Sequence, residues 1–259
     1  MNPSKASAFV LGLLPSIALL PALALAEGPE RRILGDDERQ EFRESGSPWQ
    51  SIGRLHGRKN RFRSVNCSGA LVAPRVVLSA GHCLSDDVDE GRIPSTLELE
   101  FTLPDGRSSK AVAFRIGGIP RGATDWALVV LNDELGLDSL GQPAHFSMAS
   151  PSDPSLLVDT KIRVIGYSSA FQEGLQRAEA RGRIGQVRAD GLFDHDADTT
   201  TGISGAPIIE LRSQKDEEFP RILGVHTASD ADDDPSPLKN YGVSLGMAAL
   251  ALEELLQSR

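Results

Sequence analysis

Cysteine, positive charge and long apolar runs are all scarce in this sequence, and each shortage excludes something. Only two cysteines occur in 259 residues, Cys67 and Cys83. Two thiolates cannot close a tetrahedral zinc site, and no histidine stands at finger spacing from them, so no metal and no cofactor is expected. Lys and Arg number 27 against 36 Asp and Glu, a net charge of −9. So acidic a chain is unsuited to nucleic acid or an anionic membrane as its main partner. Beyond the first 26 residues no stretch approaches the ~20 apolar residues that a membrane-spanning helix needs. The acids cluster at GDDERQEFRE, DHDAD and DADDDP. They lack EF-hand spacing and read as solvated loops in preference to a calcium site. No internal repeat is visible.

What is present begins as an export leader. Lys5 supplies a positive start, AFVLGLLPSIALLPALALA an apolar run broken by Pro15 and Pro21, and Ala24-Leu25-Ala26 a small-residue cleavage pattern. Residues 1–26 are therefore expected to be a signal peptide, with Glu27 the first residue after it. The protein is expected to be secreted or periplasmic, with no membrane contact once the leader is gone. Residues 27–47 are polar and aperiodic and read as a pro-segment or N-terminal arm. In an exported chain the pair Cys67 and Cys83 reads as a disulfide.

From residue 48 onward, short apolar runs alternate with turn residues. GALVA, RVVLSA, LELEF, VAFRIGGI and WALVVL come first; KIRVIGYS, ARGRIGQVR, APIIEL, RILGVHT and NYGVSL follow. Many short strands bounded by Gly, Pro, Asp and Ser indicate an all-β sandwich or barrels. LNDELGLDSLGQP reads as the connection between two halves. The end, MAALALEELLQSR, changes period: Leu245, Ala248, Leu252 and Leu255 fall at helical spacing, which predicts one C-terminal helix.

Three stretches carry chemistry. In DTTTGISGAPI, residues 198–208, Ser204 stands between Gly202 and Gly205. Taken alone this is an ordinary turn composition. A serine hydroxyl becomes a nucleophile only beside a base that is itself oriented. Of the five histidines, His82 in RVVLSAGHC ends a strand-like run next to Cys83. A bridge from Cys83 to Cys67 would pin the backbone beside it and is worth ~3 kcal/mol on the chain-entropy model. Asp125 opens the apolar run of DWALVVL.

In the order His, Asp, Ser, these stretches resemble the trypsin-like serine peptidases of the chymotrypsin fold over residues 48–259. The family's TAAHC stands here as LSAGHC, its DIAL as DWAL and its GDSGGP as GISGAP. The resemblance implies two six-stranded antiparallel β-barrels, about 48–135 and 136–259, with the active site between them and a helix at the C-terminus. It implies an endopeptidase working as a monomer on protein or peptide substrates through an acyl-enzyme. Ser204 would attack, His82 would carry the proton, and Asp125 would hold His82. Backbone N–H groups of Gly202 and Ser204 would form the oxyanion hole, and Thr227 would support Asp125 through its hydroxyl.

Departures matter too. Ile203 stands where trypsin and chymotrypsin carry the Asp that pairs with the new N-terminus on activation. The sequence is closer in character to the bacterial V8-like glutamyl endopeptidases, whose mature start ILGDDER, after Arg31-Arg32, resembles. Specificity is divided. Asp198 aligns with the acid that selects Arg or Lys in trypsin, whereas Thr199 and His226 align with residues that receive acidic side chains in V8-like enzymes. Two residues against one favour acidic substrates. An α/β-hydrolase elbow would need Gly where Ala206 stands. The rival of another class is a catalytically silent exported binding protein on the same fold.

Overall fold

The run CSGALVA is the middle of the first barrel, and its burial shows why. Within β4 (Arg63–Ala73) every residue from Cys67 to Ala73 is buried. β4 is paired on one side with β3 (Ile52–Asn60) and on the other with β5 (Val76–Ser79). β6 (Glu98–Thr102), β7 (Ser108–Ile116) and β8 (Ala127–Leu131) complete a closed barrel in the order β3-β4-β5-β8-β7-β6. This is a computed structural model, and it describes residues 31–32, 36–85, 93–118, 122–136, 145–148, 153–168, 177–211, 220–229 and 239–258. The expected signal peptide lies outside the described residues, as does the DADDDP cluster.

The second half repeats the architecture. β10 (Lys161–Tyr167), β14 (Pro207–Glu210), β15 (Arg221–Ser229), β16 (Asn240–Ser244), β12 (Leu192–His195) and β11 (Arg177–Val187) follow one another around a ring. The pairing of β10 with β11 closes it. Three short strands attach to this half. β2 (Gln40–Glu41) extends β11, β9 (Ser147–Met148) lies parallel to β15, and β1 (Arg31–Arg32) pairs with β13 (Thr199–Thr200). The chain ends in helix α1 (Gly246–Gln257). The molecule is therefore all-β, two six-stranded antiparallel barrels and one C-terminal helix. Among the described residues no helix is long and apolar enough to cross a membrane.

Two of the barrel strands escaped the sequence pattern. β3 reads IGRLHGRKN, too charged to register as an apolar run, yet Ile52 and Leu55 are fully buried. β12 reads LFDH and overlaps the DHDAD cluster that was expected to be solvated. Instead Asp194, His195 and Asp198 are buried. β12 sits between β11 and β16, and its one carboxylate is partnered: Asp194 accepts the Gln186 N–H at 2.7 Å and pairs with Lys239. A buried charge with such partners is tolerated where a bare one is not.

Candidate active site

The site forms where β5 and β8 of the first barrel meet the turn before β14 of the second. After β5, a single 3-10 turn, Gly81–Cys83, carries His82. The turn is tied down twice. Cys83 is bonded to Cys67 on β4. Lys59 reaches across from β3 to donate to the carbonyls of His82 and Ser85. Asp125, fully buried just ahead of β8, grips His82 at two points. Its Oδ1 accepts the His82 backbone N–H and its Oδ2 pairs with the ring Nδ1, both at 2.8 Å. A carboxylate can only accept, so Nδ1 carries the ring proton and Nε2 is left as the basic nitrogen. Gly81 makes room for this grip, because a Cβ there would stand 3.0 Å from Asp125 Oδ1.

Ser204 sits half-buried on a turn that needs glycine on both sides. Gly202 and Gly205 have φ of +96° and +82°, a region L side chains avoid. Among the described residues the backbone N–H groups of Gly202 and Ser204 are engaged by no other protein group. Ile203 is fully buried in the apolar cluster of the second barrel with Ala197, Ala206 and Ile208. The position that an activation ion pair would need is thus filled with hydrocarbon.

Ser68, next to Cys67, fastens this turn to the first barrel, and nothing in the sequence pattern singled it out. Its N–H donates to the Ser204 carbonyl at 2.7 Å, and its Oγ donates to the Gly202 carbonyl at 2.9 Å. The same Oγ accepts the Tyr167 N–H at 2.8 Å, and the Ser68 carbonyl accepts Ser79 Oγ. Gly205 lies so close to β5 that a Cβ would fall 2.2 Å from Ser79 Oγ and 3.0 Å from the Ala80 nitrogen. The nucleophile's turn is thereby pressed against the strand that leads to His82. No hydrogen bond joins Ser204 Oγ to His82 Nε2 in this resting state, a contact that commonly tightens only with substrate.

The three residues expected to line a pocket converge beside this turn. Thr199 and His226 are buried on β13 and β15. Thr199 Oγ1 donates to Asn240 Oδ1 at 2.7 Å, while Asn240 Nδ2 donates to the Ala197 carbonyl. The Thr199 proton is therefore committed to Asn240. His226 Nδ1 meets His195 Nε2 at 3.2 Å. Burial drives the His195 pKa down to about 3, against the pull of the Asp194 charge, so this ring is neutral at neutral pH. Asp198 is also buried, and its Oδ2 accepts the Glu38 N–H at 3.0 Å. Asn240 and His195 were missed because each matters only through a partner some 30 to 40 residues away.

Thr227 departs from expectation. It is buried beside His226, but its hydroxyl has no hydrogen-bond partner among the described residues, so the expected contact with Asp125 is not made. The pairing of β15 with β16 slips between His226 and Ala228, which makes Thr227 the extra residue of a bulge and re-aims its side chain. Cys67, His82 and Cys83 bring ligand atoms close together. Both sulfurs are spent in the disulfide, and no thiolate is left to hold a metal.

Two closed barrels with a serine turn, a gripped histidine and two open N–H groups at their junction define a serine endopeptidase of the chymotrypsin architecture. The chain belongs to the trypsin-like peptidase domain family, whose model matches residues 67–215. It also superposes on solved structures of proteases and of an inactivated protease paralogue. A Glu endopeptidase solved in complex with MPD superposes with a TM-score of 0.65 at 20% identity, covering 88% of this chain and 100% of that one. Protease Anisep from Arthrobacter nicotinovorans gives 0.58 at 17% identity, covering 80% and 93%. An inactivated protease paralogue of the scabies mite, S-I1, gives 0.60 at 15% identity, covering 85% and 99%.

Proposed function

We propose that this is an exported serine endopeptidase that acts through His82, Asp125 and Ser204 and cleaves after acidic residues. The likeness extends to an inactivated paralogue, so the fold does not carry catalysis by itself. What carries the reading is the two-point grip of buried Asp125 on His82, because it sets the one tautomer in which Nε2 can act as base. His82 Nε2 takes the Ser204 proton as Oγ attacks the substrate carbonyl carbon. The oxyanion that forms receives the Gly202 and Ser204 N–H groups. The C–N bond breaks as His82 returns the proton to the leaving amine. Water, deprotonated by the same nitrogen, then attacks the acyl-enzyme carbonyl, and as the ester C–O bond breaks His82 returns that proton to Ser204 Oγ. Asp125 keeps its two-point hold on His82 throughout and stabilises the imidazolium through Nδ1–H. Export rests on the leader pattern at residues 1–26.

The preference for acids is supported by where the pocket groups spend their hydrogen bonds. Asp198, the residue that would attract Arg or Lys, gives an oxygen to the backbone of Glu38. The Thr199 hydroxyl already donates its one hydrogen bond to Asn240 Oδ1. His226, buried on β15 with its Nδ1 against His195, is the pocket residue that would receive a substrate carboxylate. Labelling with a fluorophosphonate probe tests the nucleophile: the wild type should be labelled and Ser204→Ala should not. Peptide hydrolysis by Ser204→Ala should fall by on the order of 10⁴–10⁶. Near wild-type turnover in the purified variant would sink the assignment. Peptides differing only in Glu, Arg or Phe before the scissile bond test the pocket. Glu should be preferred, His226→Val should abolish that preference, and Asp198→Asn should create none for Arg.

A further inference from the structure

The residues ahead of the barrels run beside the strand that leads to Ser204. β1 pairs with β13, Arg31 opposite Thr200 and Arg32 opposite Thr199. Further along, the Glu38 N–H caps Asp198. Arg39 comes next, and its side chain is only 4% exposed. A guanidinium is rarely buried so far unless every edge of it is used. Here Nε and Nη2 form a fork on the Asp37 carboxylate at 2.8 and 2.7 Å. Nη1 donates to Thr200 Oγ1 at 2.9 Å and, at 3.4 Å, to Ser168 Oγ. The Ser168 and Thr200 hydroxyls are bonded to each other at 2.5 Å.

Successive side chains of a strand point to opposite faces. Thr200 therefore faces Arg39, and Thr199, on the opposite face, meets Asn240 directly. A grip on Thr200 from outside sets the depth of Thr199 inside. The Thr200 carbonyl also accepts the Ile203 N–H at 3.1 Å, so the turn containing Gly202 starts from the gripped residue. We propose that Arg39 is a positioning residue for substrate selection: acting through the Thr200 hydroxyl, it holds the Thr199 wall of the pocket at the depth that fits the preferred side chain. This rests on the reading of Thr199 and His226 as pocket residues. Arginine is required because its planar fork serves Asp37 and the hydroxyls together, whereas a lysine has one ammonium to offer.

The test compares wild type, Arg39→Met, Arg39→Lys, Thr200→Val and the Arg39→Met/Thr200→Val double variant. Active sites are counted by fluorophosphonate titration, so misfolded molecules do not enter the rates. Arg39→Met should raise KM for the residue that the wild type prefers by about tenfold, with kcat falling less than threefold. Its preference over Phe should narrow accordingly. Arg39→Lys should recover part of this, and the double variant should be no worse than the worse single one. Wild-type KM and preference per active site in Arg39→Met, with only a lowered Tm, would overturn the inference and leave a structural role. So would strictly additive losses in the double variant. A wild type that is labelled but distinguishes no side chain at that position overturns the pocket reading and this inference with it. A wild type that discriminates but ignores Arg39 overturns this inference alone.

Discussion

His195 shows what a single buried side chain does to the pH response. Folded, it titrates near 3, because burial penalises the imidazolium. Unfolded, it titrates at its ordinary ~6.5. Between those values the unfolded chain binds a proton that the folded chain refuses, so stability falls as pH is lowered through the window. At pH 5 the loss from this one ring is about 2 kcal/mol. Urea unfolding should show a midpoint that drops from pH 7 to pH 5 in the wild type and a flatter profile in His195→Gln, which still has a hydrogen-bonding group facing His226. Parallel profiles would place the proton uptake elsewhere.

At the scale of elements, the turn holding His82 is too short to hold itself. Three residues of 3-10 helix with no side-chain cap carry little intrinsic stability. The turn is held from outside by Asp125, by Lys59 and by the bridge across a sequence separation of 16. Closing a loop of that size is worth ~3 kcal/mol on the chain-entropy model. The double variant Cys67→Ser/Cys83→Ser should lose about that much in urea unfolding and should no longer respond to reductant. Intact mass of the wild type without reductant should be two hydrogens short of the free thiol form. Two alkylatable thiols in the native protein, or a double variant as stable as the wild type, would contradict this account.

Across the whole molecule, the last helix joins the two halves. α1 follows β16 of the second barrel, yet it packs against β8 of the first. Ala248, Ala251 and Leu252 lie in one apolar cluster that also contains Leu71, Leu78 and Leu128 of the first barrel and Ile209, Ile222 and Val243 of the second. Its ion pair, Arg115 with Glu254 at 2.7 Å, is exposed and contributes little beside that burial. A shared core makes the barrels unfold together. Leu252→Ala should lower stability by about 2–4 kcal/mol in one transition, seen alike by circular dichroism and by loss of hydrolysis. Fraying of the helix with both barrels and the activity intact would show the core to be divided.

The sequence by itself determined the barrel strands that are apolar from end to end, such as ALVVL in β8, because burial on both faces writes a continuous pattern. It also put forward Ser204, His82, Asp125 and the two cysteines, since a nucleophile between glycines and a histidine beside a cysteine are local signatures. β3 and β12 were not legible, because charged residues within them find partners on neighbouring strands, Arg54 on Asn66 of β4 and Asp194 on the Gln186 N–H of β11. Nor were Ser68, Asn240, His195 and Arg39, or the unbonded state of Thr227. Each depends on contacts between elements distant in the chain: Ser68 lies 134 residues from Gly202, and Arg39 lies 161 from Thr200. Asp198 is the sharpest case. Its position in the sequence fits a counter-ion for basic substrates, and only the tertiary structure, by laying the N-terminal arm along β13, gives its carboxylate to a backbone N–H. A hydrogen bond goes to whichever group the fold brings within 3 Å, and spacing along the chain does not specify that group.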